Sequence, residues 1–196
     1  MSSVDLLLAS QSPRRQELLK QIGVRFAVIQ VQVPEVHTAG ESAADYVSRL
    51  ALAKAGAGSE LRPDLPALGA DTVVVHRGTI LEKPRDREHT LAMLKQLSGE
   101  THQVLTGIAV AYGGRQQVRV VTSEVRFREI AQEEAERYWA TGEPRDKAGG
   151  YGIQGMGAVF VAHLAGSYSN VVGLPLTETQ ALLAEFEVPV WCGADA

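Results

Sequence analysis

Two adjacent arginines, Arg14 and Arg15, follow a Ser-Gln-Ser-Pro turn at the end of an apolar run, in the stretch "LASQSPRRQELLKQIG" from Leu8 to Gly23. A helix N-terminus offers unpaired N–H groups and a partial positive charge, so this turn is already suited to an anion. The guanidinium forks add bidentate recognition of phosphate oxygens. The same two charges on a plain solvated first turn would be opposed by the helix dipole, which favours an anion-binding reading. Carboxylates supply the other half of a phosphate site. Glu35, Asp71 and Glu82 each sit at or just past a strand-like run, where an α/β domain places its ligand crevice. Such hard oxygen donors suit Mg²⁺ or Mn²⁺, which bridges one or two carboxylates to substrate phosphates. Asp71 is the foremost candidate because it interrupts the apolar "LGADTVVV", and a carboxylate there is costly unless paired, capped or metal-bound. Lys54 and Lys83 could neutralise phosphate charge, although a lone lysine is usually solvated.

Other chemistries find less support. The P-loop pattern is absent, and Gly150, Gly152 and Gly155 form a literal G-x-G-x-x-G in the wrong setting. That loop follows polar "EPRDK" and leads toward "AVFVAHL", whereas a dinucleotide fingerprint follows a strand and opens a helix. A tight loop bringing backbone and Gln154 close to a ligand is the better reading. His37, His76, His89, His102 and His163 lack metal-ligand spacing, and no nucleophile elbow or Cys-His arrangement points to acyl transfer. The residues therefore favour phosphoanhydride hydrolysis.

These groups need a scaffold. With 196 residues and 45% hydrophobic content, one enzyme-sized domain over residues 1–196 is expected. Strand-like and helical patterns alternate, which predicts a mixed α/β domain with strands covered by helices. Strands are expected at Val4–Ala9, Phe26–Val33, around Val73–Val75 with a turn at Arg77-Gly78, at 104–112 and at 117–127. Helices are expected from Pro13, capped by Ser12, to Gly23; at Ser42 to about Ala57, with Lys54 near its end; at His89–Leu97; at Gln132–Thr141, with Trp139 on the buried side; and at Leu176–Phe186. The tail from Pro189 carries no pattern.

Composition narrows the partners. Nineteen Lys+Arg against 23 Asp+Glu give a net charge of -4 without a long run of either sign, so nucleic-acid binding is disfavoured. Cys192 is the only cysteine, which excludes an internal disulfide. The opening "MSSVDLLLA" has no basic n-region, and no apolar run approaches membrane-spanning length, so a cytoplasmic protein without membrane association is expected.

Six ordered stretches, "LASQSPRRQELL", "ESAADYVSRLALAKA", "LGADTVVV", "LEKPRD", "DKAGGYGIQG" and "SNVVGLP", together resemble the Maf family, the septum-formation-protein-like nucleoside triphosphate pyrophosphatases. The resemblance spans about residues 4 to 186. It implies an elongated mixed sheet flanked by helices, with two lobes around a central cleft, and a house-cleaning hydrolase that cleaves a nucleotide between its α- and β-phosphates with a divalent metal. The "GYGIQG" form is similar to the branch acting on dTTP, UTP and modified uridine nucleotides. By the same resemblance Asp71 matches the proton acceptor, and Arg14, Thr72 and Gln154 the specificity positions. Glu35 and Asp71 fall near the metal, and Ser10, Arg14, Arg15, Lys54 and Lys83 around the phosphates, with Glu82 beside them. Pro34 stands where some relatives carry a second acid, which shifts metal ligation toward Glu35 and Asp71. A homodimer is the usual family state. The family name also admits a nucleotide-sensing regulator of cell division that binds without hydrolysing; the carboxylate set argues against it, since a pure binder has little use for Asp71 beside metal and phosphate.

Overall fold

Leu6, Leu7 and Leu8 are fully buried, and this short apolar run forms the strand β1 (Leu6–Leu8) from which the fold is built. The computed structural model describes residues 4–192. The first three residues of the opening stretch and the last four of the tail lie outside the described residues.

From β1 the chain turns into α1 (Pro13–Gln21), with Pro13 in the first turn, where its missing N–H costs nothing. Gly23, at φ +67°, ends the helix in a left-handed conformation. The chain then returns as β2 (Phe26–Val28), paired parallel to β1. This strand is shorter than the sequence pattern indicates: residues 29–33 alternate between half-buried and exposed but have left the ladder. α2 (Ala43–Leu61) follows, with the Ser42 Oγ accepting a hydrogen bond from the Asp45 N–H. It runs four residues past the expected end, so Lys54 lies inside the helix rather than near its terminus.

β3 (Ala67–His76) pairs parallel to β1 and turns back through Arg77-Gly78 into β4 (Thr79–Leu81). Both turn residues have positive φ, +48° and +79°, the backbone of a two-residue primed turn. After α3 (Arg87–Leu97), capped by Asp86, come β5 (Thr101–Tyr112) and β6 (Arg115–Phe127), joined through Gly113-Gly114. α4 (Gln132–Ala140), a series of tight turns, β7 (Val161–Ala165), α5 (Tyr168–Val172) and α6 (Leu176–Glu185) complete the chain. On α4 it is Tyr138 that is buried, while Trp139 is half-buried with the Arg145 guanidinium over its ring. The mixed seven-stranded sheet has the order β2-β1-β3-β5-β6-β7, with β4 on β3, and helices flank it.

The chain divides into two compact units. One comprises residues up to Asp71, Thr106–Val121 and Gly173 onward; the other comprises Thr72–Leu105 and Thr122–Val172. In the first, α2 lies on the sheet through small residues: Ala51 and Ala55 cluster with Ala109 and Ala111. The second has a core that includes Met93, Leu94, Leu97, Val125, Phe127, Tyr138, Tyr151 and Phe160. Among the described residues, no helix is long and apolar enough to cross a membrane.

Candidate functional site

Close contact between α2 and β3 places the charged groups. A Cβ added at Gly69 would lie 2.3 Å from the Ala51 carbonyl oxygen, 2.5 Å from the Ala55 nitrogen and 2.9 Å from the Lys54 Cβ. Only glycine permits that approach. Strand side chains alternate, so the face of β3 that meets α2 at Gly69 meets it again two residues later, at Asp71. There the Lys54 Nζ donates to Asp71 Oδ1 at 2.7 Å. The same ammonium lies 2.7 Å from Glu35 Oε1. The Lys54 and Asp71 side chains are only 11% and 12% exposed, against 47% for Glu35. A buried lysine held between two carboxylates is thus the centre of this cluster. Burial of either partner without the other would carry a large desolvation cost, which explains why the pair occurs together.

The arginines reach the same surroundings from α1. Arg15 is anchored: its Nη1 donates to Ser10 Oγ at 3.1 Å and its Nε to the Gly173 carbonyl at 2.9 Å. Burial pushes its pKa down; the Asp71 carboxylate pulls it back up, Arg14 pushes it down and Glu35 pulls it up. The guanidinium stays charged regardless, so the cost of burial becomes a demand for negative charge. The first turn of α1 has no acidic residue, and Ser12 makes no side-chain capping bond there; its own N–H donates instead to Ser10 Oγ at 3.3 Å. Ser10, Arg14, Arg15, Glu35, Lys54 and Asp71 therefore all belong to the first unit, where three cations accompany two carboxylates.

Thr72, Glu82, Lys83 and Gln154 belong to the second unit. Thr72 is half-buried on β3; Glu82 and Lys83 follow β4 and are exposed. The Glu82 carbonyl accepts from the Gly149 N–H at 3.2 Å, which ties the end of this hairpin to the glycine-rich loop. Gln154 is exposed in a turn closed by Gly155 N–H donating to the Gly152 carbonyl.

The glycine spacing around Gln154 has a local cause. Glu143 Oε2 accepts from the Met156 N–H at 2.8 Å, and Oε1 accepts from the Gly157 N–H at 3.0 Å and the Tyr138 hydroxyl at 2.7 Å. The Tyr138 Oη in turn accepts from the Gly152 N–H at 3.1 Å. Added Cβ atoms would lie 2.2 Å from Glu143 Oε2 at Gly155 and 2.6 Å from Tyr138 Oη at Gly157. Those glycines let backbone wrap a carboxylate and a phenol of the chain itself. Burial works against the Glu143 carboxylate, but hydrogen bonds from Tyr138, Gly157 and Met156, together with the Lys147 charge, hold its pKa below the usual range. The Tyr138 phenol is pushed up by burial and by Glu143. Residue types alone do not single out Glu143 or Tyr138. The only signal for them in the sequence is the set of glycines at 152, 155 and 157.

Divalent metals of the Mg²⁺ class take hard oxygen donors and keep water or phosphate in the remaining positions. Glu35 and Asp71, converging on one cation, supply donors of this type and fit such an ion. Among the described residues no cluster of three or more His, Cys, Asp or Glu offers a site filled by protein alone.

Comparison with known proteins places this chain in a family. The family model described as Maf-like protein matches residues 5–186. A protein of Saccharophagus degradans named dTTP/UTP pyrophosphatase is 60% identical over 194 residues, covering 97% of this chain and 92% of that protein. Proteins of the same name from Alkalilimnicola ehrlichii and Escherichia coli O157:H7 are 56% and 53% identical, covering 93% and 92% of this chain and 93% and 92% of their own lengths. The match takes in all six stretches and Glu35 between the first two, and so spans the charged cluster, the hairpin and the glycine-rich loop; the chain belongs to the Maf-like protein family.

Proposed function

We propose that this chain is a nucleoside triphosphate pyrophosphatase acting on dTTP and UTP, releasing the nucleoside monophosphate and pyrophosphate. The observation that carries the reading is the buried Lys54 ammonium held by Asp71 and Glu35 on a chain 60% identical to a protein named dTTP/UTP pyrophosphatase.

Asp71 is the proton acceptor. Its Oδ1 is committed to Lys54, so Oδ2 takes the proton of the water that attacks the α-phosphorus; the bond to the β-phosphate oxygen breaks and pyrophosphate leaves. Lys54 holds the carboxylate's orientation. Glu35 and Asp71 would hold a divalent ion such as Mg²⁺ or Mn²⁺. When bound, that ion supplies charge neutralisation at the phosphates. Arg14, Arg15 and Ser10 bind phosphate oxygens at the start of α1, with Arg15 oriented by its two anchors, and their fixed positive charge favours the charge that develops on the leaving group. Lys83, with Glu82 beside it, and Thr72 serve the substrate from the hairpin. Gln154 reads the base: its amide has both a donor and an acceptor for the O4 and N3–H edge shared by thymine and uracil. Residues 1–196 act as one catalytic domain on this reading, and the working form is a homodimer without nucleic-acid or membrane partners.

The test is pyrophosphate release from dTTP, UTP, CTP, dCTP, GTP and ATP, with Mg²⁺ or Mn²⁺ and with EDTA. Release concentrated on dTTP and UTP, abolished by EDTA, and reduced by roughly 10³-fold or more in Asp71→Asn is expected, since general-base catalysis contributes on the order of 10²–10⁴. Binding without pyrophosphate from any nucleotide would instead mark a non-hydrolysing regulator.

A further inference from the structure

Glu143 and Tyr138 lie outside the phosphate machinery, yet they hold the turn that carries Gln154 from both sides. Upstream, the Gly152 N–H donates to Tyr138 Oη; downstream, the Met156 and Gly157 N–H groups donate to the two Glu143 oxygens; Tyr138 and Glu143 are joined to each other at 2.7 Å. Lys147 reinforces the arrangement, with its Nζ donating to the Glu143 carbonyl at 2.8 Å. Between the pinned ends are Ile153, which packs against the apolar core of this unit, and Gln154, which is exposed.

Because Gln154 is exposed, the backbone that carries it sets where its side chain starts and which way its Cα–Cβ bond points. That backbone depends on one carboxylate with three donors aimed at it. We propose that Glu143, with Tyr138, is the positioning residue for base recognition: it fixes the Gln154 turn, and so determines which pyrimidine is accepted, without touching the substrate. The inference rests on the reading of Gln154 given above.

The choice of variant follows from donor count. Glu143→Gln keeps the shape, but the new NH₂ must face at least one donating group, either the Met156 N–H or the pair formed by the Gly157 N–H and the Tyr138 hydroxyl. An exposed or partly buried N–H then loses its carboxylate acceptor, at up to the cost typical of a hydrogen bond to a charged group. Tyr138→Phe removes only the acceptor for Gly152 and one donor to Glu143.

The experiment compares wild type, Glu143→Gln, Tyr138→Phe and Gln154→Ala as full chains with Mg²⁺. It measures steady-state kinetics on dTTP and dCTP, amide hydrogen exchange over 152–157, and thermal melting to establish folding. For Glu143→Gln the expected result is about tenfold faster exchange over 152–157 with unchanged exchange in β1 and α2. The expected preference for dTTP over dCTP falls about tenfold, carried by KM with kcat within about threefold. Tyr138→Phe is expected to shift both in the same direction by about threefold. Unchanged exchange over 152–157 in folded Glu143→Gln would overturn the bracing itself. Faster exchange with unchanged preference, where Gln154→Ala does lower it, would overturn the link from brace to specificity. An unchanged preference in Gln154→Ala would overturn the base-reading role and, with it, the selectivity assigned to Glu143.

Discussion

The Lys54 cluster buries a carboxylate and the Glu143 brace half-buries one, and they satisfy it in opposite ways. Asp71 is answered by a full positive charge delivered from a helix onto a strand. Glu143 is answered by neutral donors, two backbone N–H groups and a phenol. The first arrangement fixes charges on regular elements, whose geometry tolerates little drift, and suits the phosphate chemistry proposed for it. The second shapes a loop around an anion, so the loop's geometry is only as firm as that anion. On the proposed reading, chemistry and recognition are supported by different physics in the two units.

Glycine substitutions separate the two most sharply. At Gly69 an alanine Cβ would meet backbone atoms of α2 at 2.3 and 2.5 Å, and neither the Ala51 carbonyl nor the Ala55 nitrogen can move without shifting the helix. Gly69→Ala is expected to cost about 3 kcal/mol or more of stability, the upper range for overpacking, and to reduce turnover by displacing Lys54 from Asp71. At Gly155 the Cβ would meet the far end of the Glu143 side chain, which can swing away. Gly155→Ala is therefore expected to cost less, about 2 kcal/mol, set by the hydrogen bonds the displaced carboxylate gives up rather than by a shifted helix, while loosening the Gln154 turn. Urea denaturation with parallel kinetics checks both. Equal stability losses at the two glycines would erase the contrast between helix-on-strand and loop support.

Acid gives a second handle. His102 in the core of the second unit is 2% exposed, with Nε2 bonded to the Tyr151 hydroxyl at 2.8 Å and ring contacts to Phe127 and Tyr151. Burial, with a smaller contribution from His76, pushes its pKa down from 6.5 to about 4. The unfolded chain takes up a proton near pH 6.5 that the folded chain refuses until about pH 4, so stability is full above that window and falls as pH drops through it. The loss is expected to reach about 2 kcal/mol by pH 5, at 1.36 kcal/mol per pH unit. Urea midpoints between pH 7 and 4.5 measure it, and His102→Gln, which can keep the bond to Tyr151, should flatten the slope. A slope identical in wild type and variant would place the acid sensitivity elsewhere.

How far the molecule was legible in its sequence also divides along these lines. Ser12-Pro13, the Arg77-Gly78 turn, the Gly113-Gly114 connection and the β/α alternation are local signals, and they mark the elements correctly to within a few residues. The stretch 29–33 misled because its alternation is real, yet those residues leave the strand ladder. α2 outran its expected end because the alanines and glycines over 51–58, weak as an apolar stripe, are what lets the helix lie close on the sheet. For the charged cluster, Asp71 was legible as a carboxylate in an apolar run and its partner Lys54 as a residue type. Their contact was not, because it depends on the close approach of α2 to β3 at Gly69, which is a property of the fold. Glu143 was illegible because its function is expressed through backbone N–H groups, which every residue but proline carries. The G-x-G-x-x-G was visible without its reason, since a loop wrapping its own glutamate and a loop wrapping a pyrophosphate use glycine alike.

The smallest expected effect tests whether the Lys54 cluster depends on local packing or on the whole of α2. Ser42 caps the helix, its Oγ accepting from the Asp45 N–H at 3.1 Å while donating to Asp45 Oδ2 at 2.7 Å. At ~1.5 Å per residue, the cap lies about 18 Å from Lys54 along the helix axis. Ser42→Ala should lower stability by about 1 kcal/mol, as loss of an N-cap does, and fray only the first turn. The Lys54–Asp71 contact is secured by Ala51, Ala55 and Gly69 much nearer by, so kcat and KM for the folded protein should stay within about twofold of wild type, less than about 0.5 kcal/mol. A stability loss of that size accompanied by a large fall in turnover would mean that the cluster is held by the helix as one rigid rod, and that the contrast with the locally braced Gln154 turn is one of reach rather than of charge.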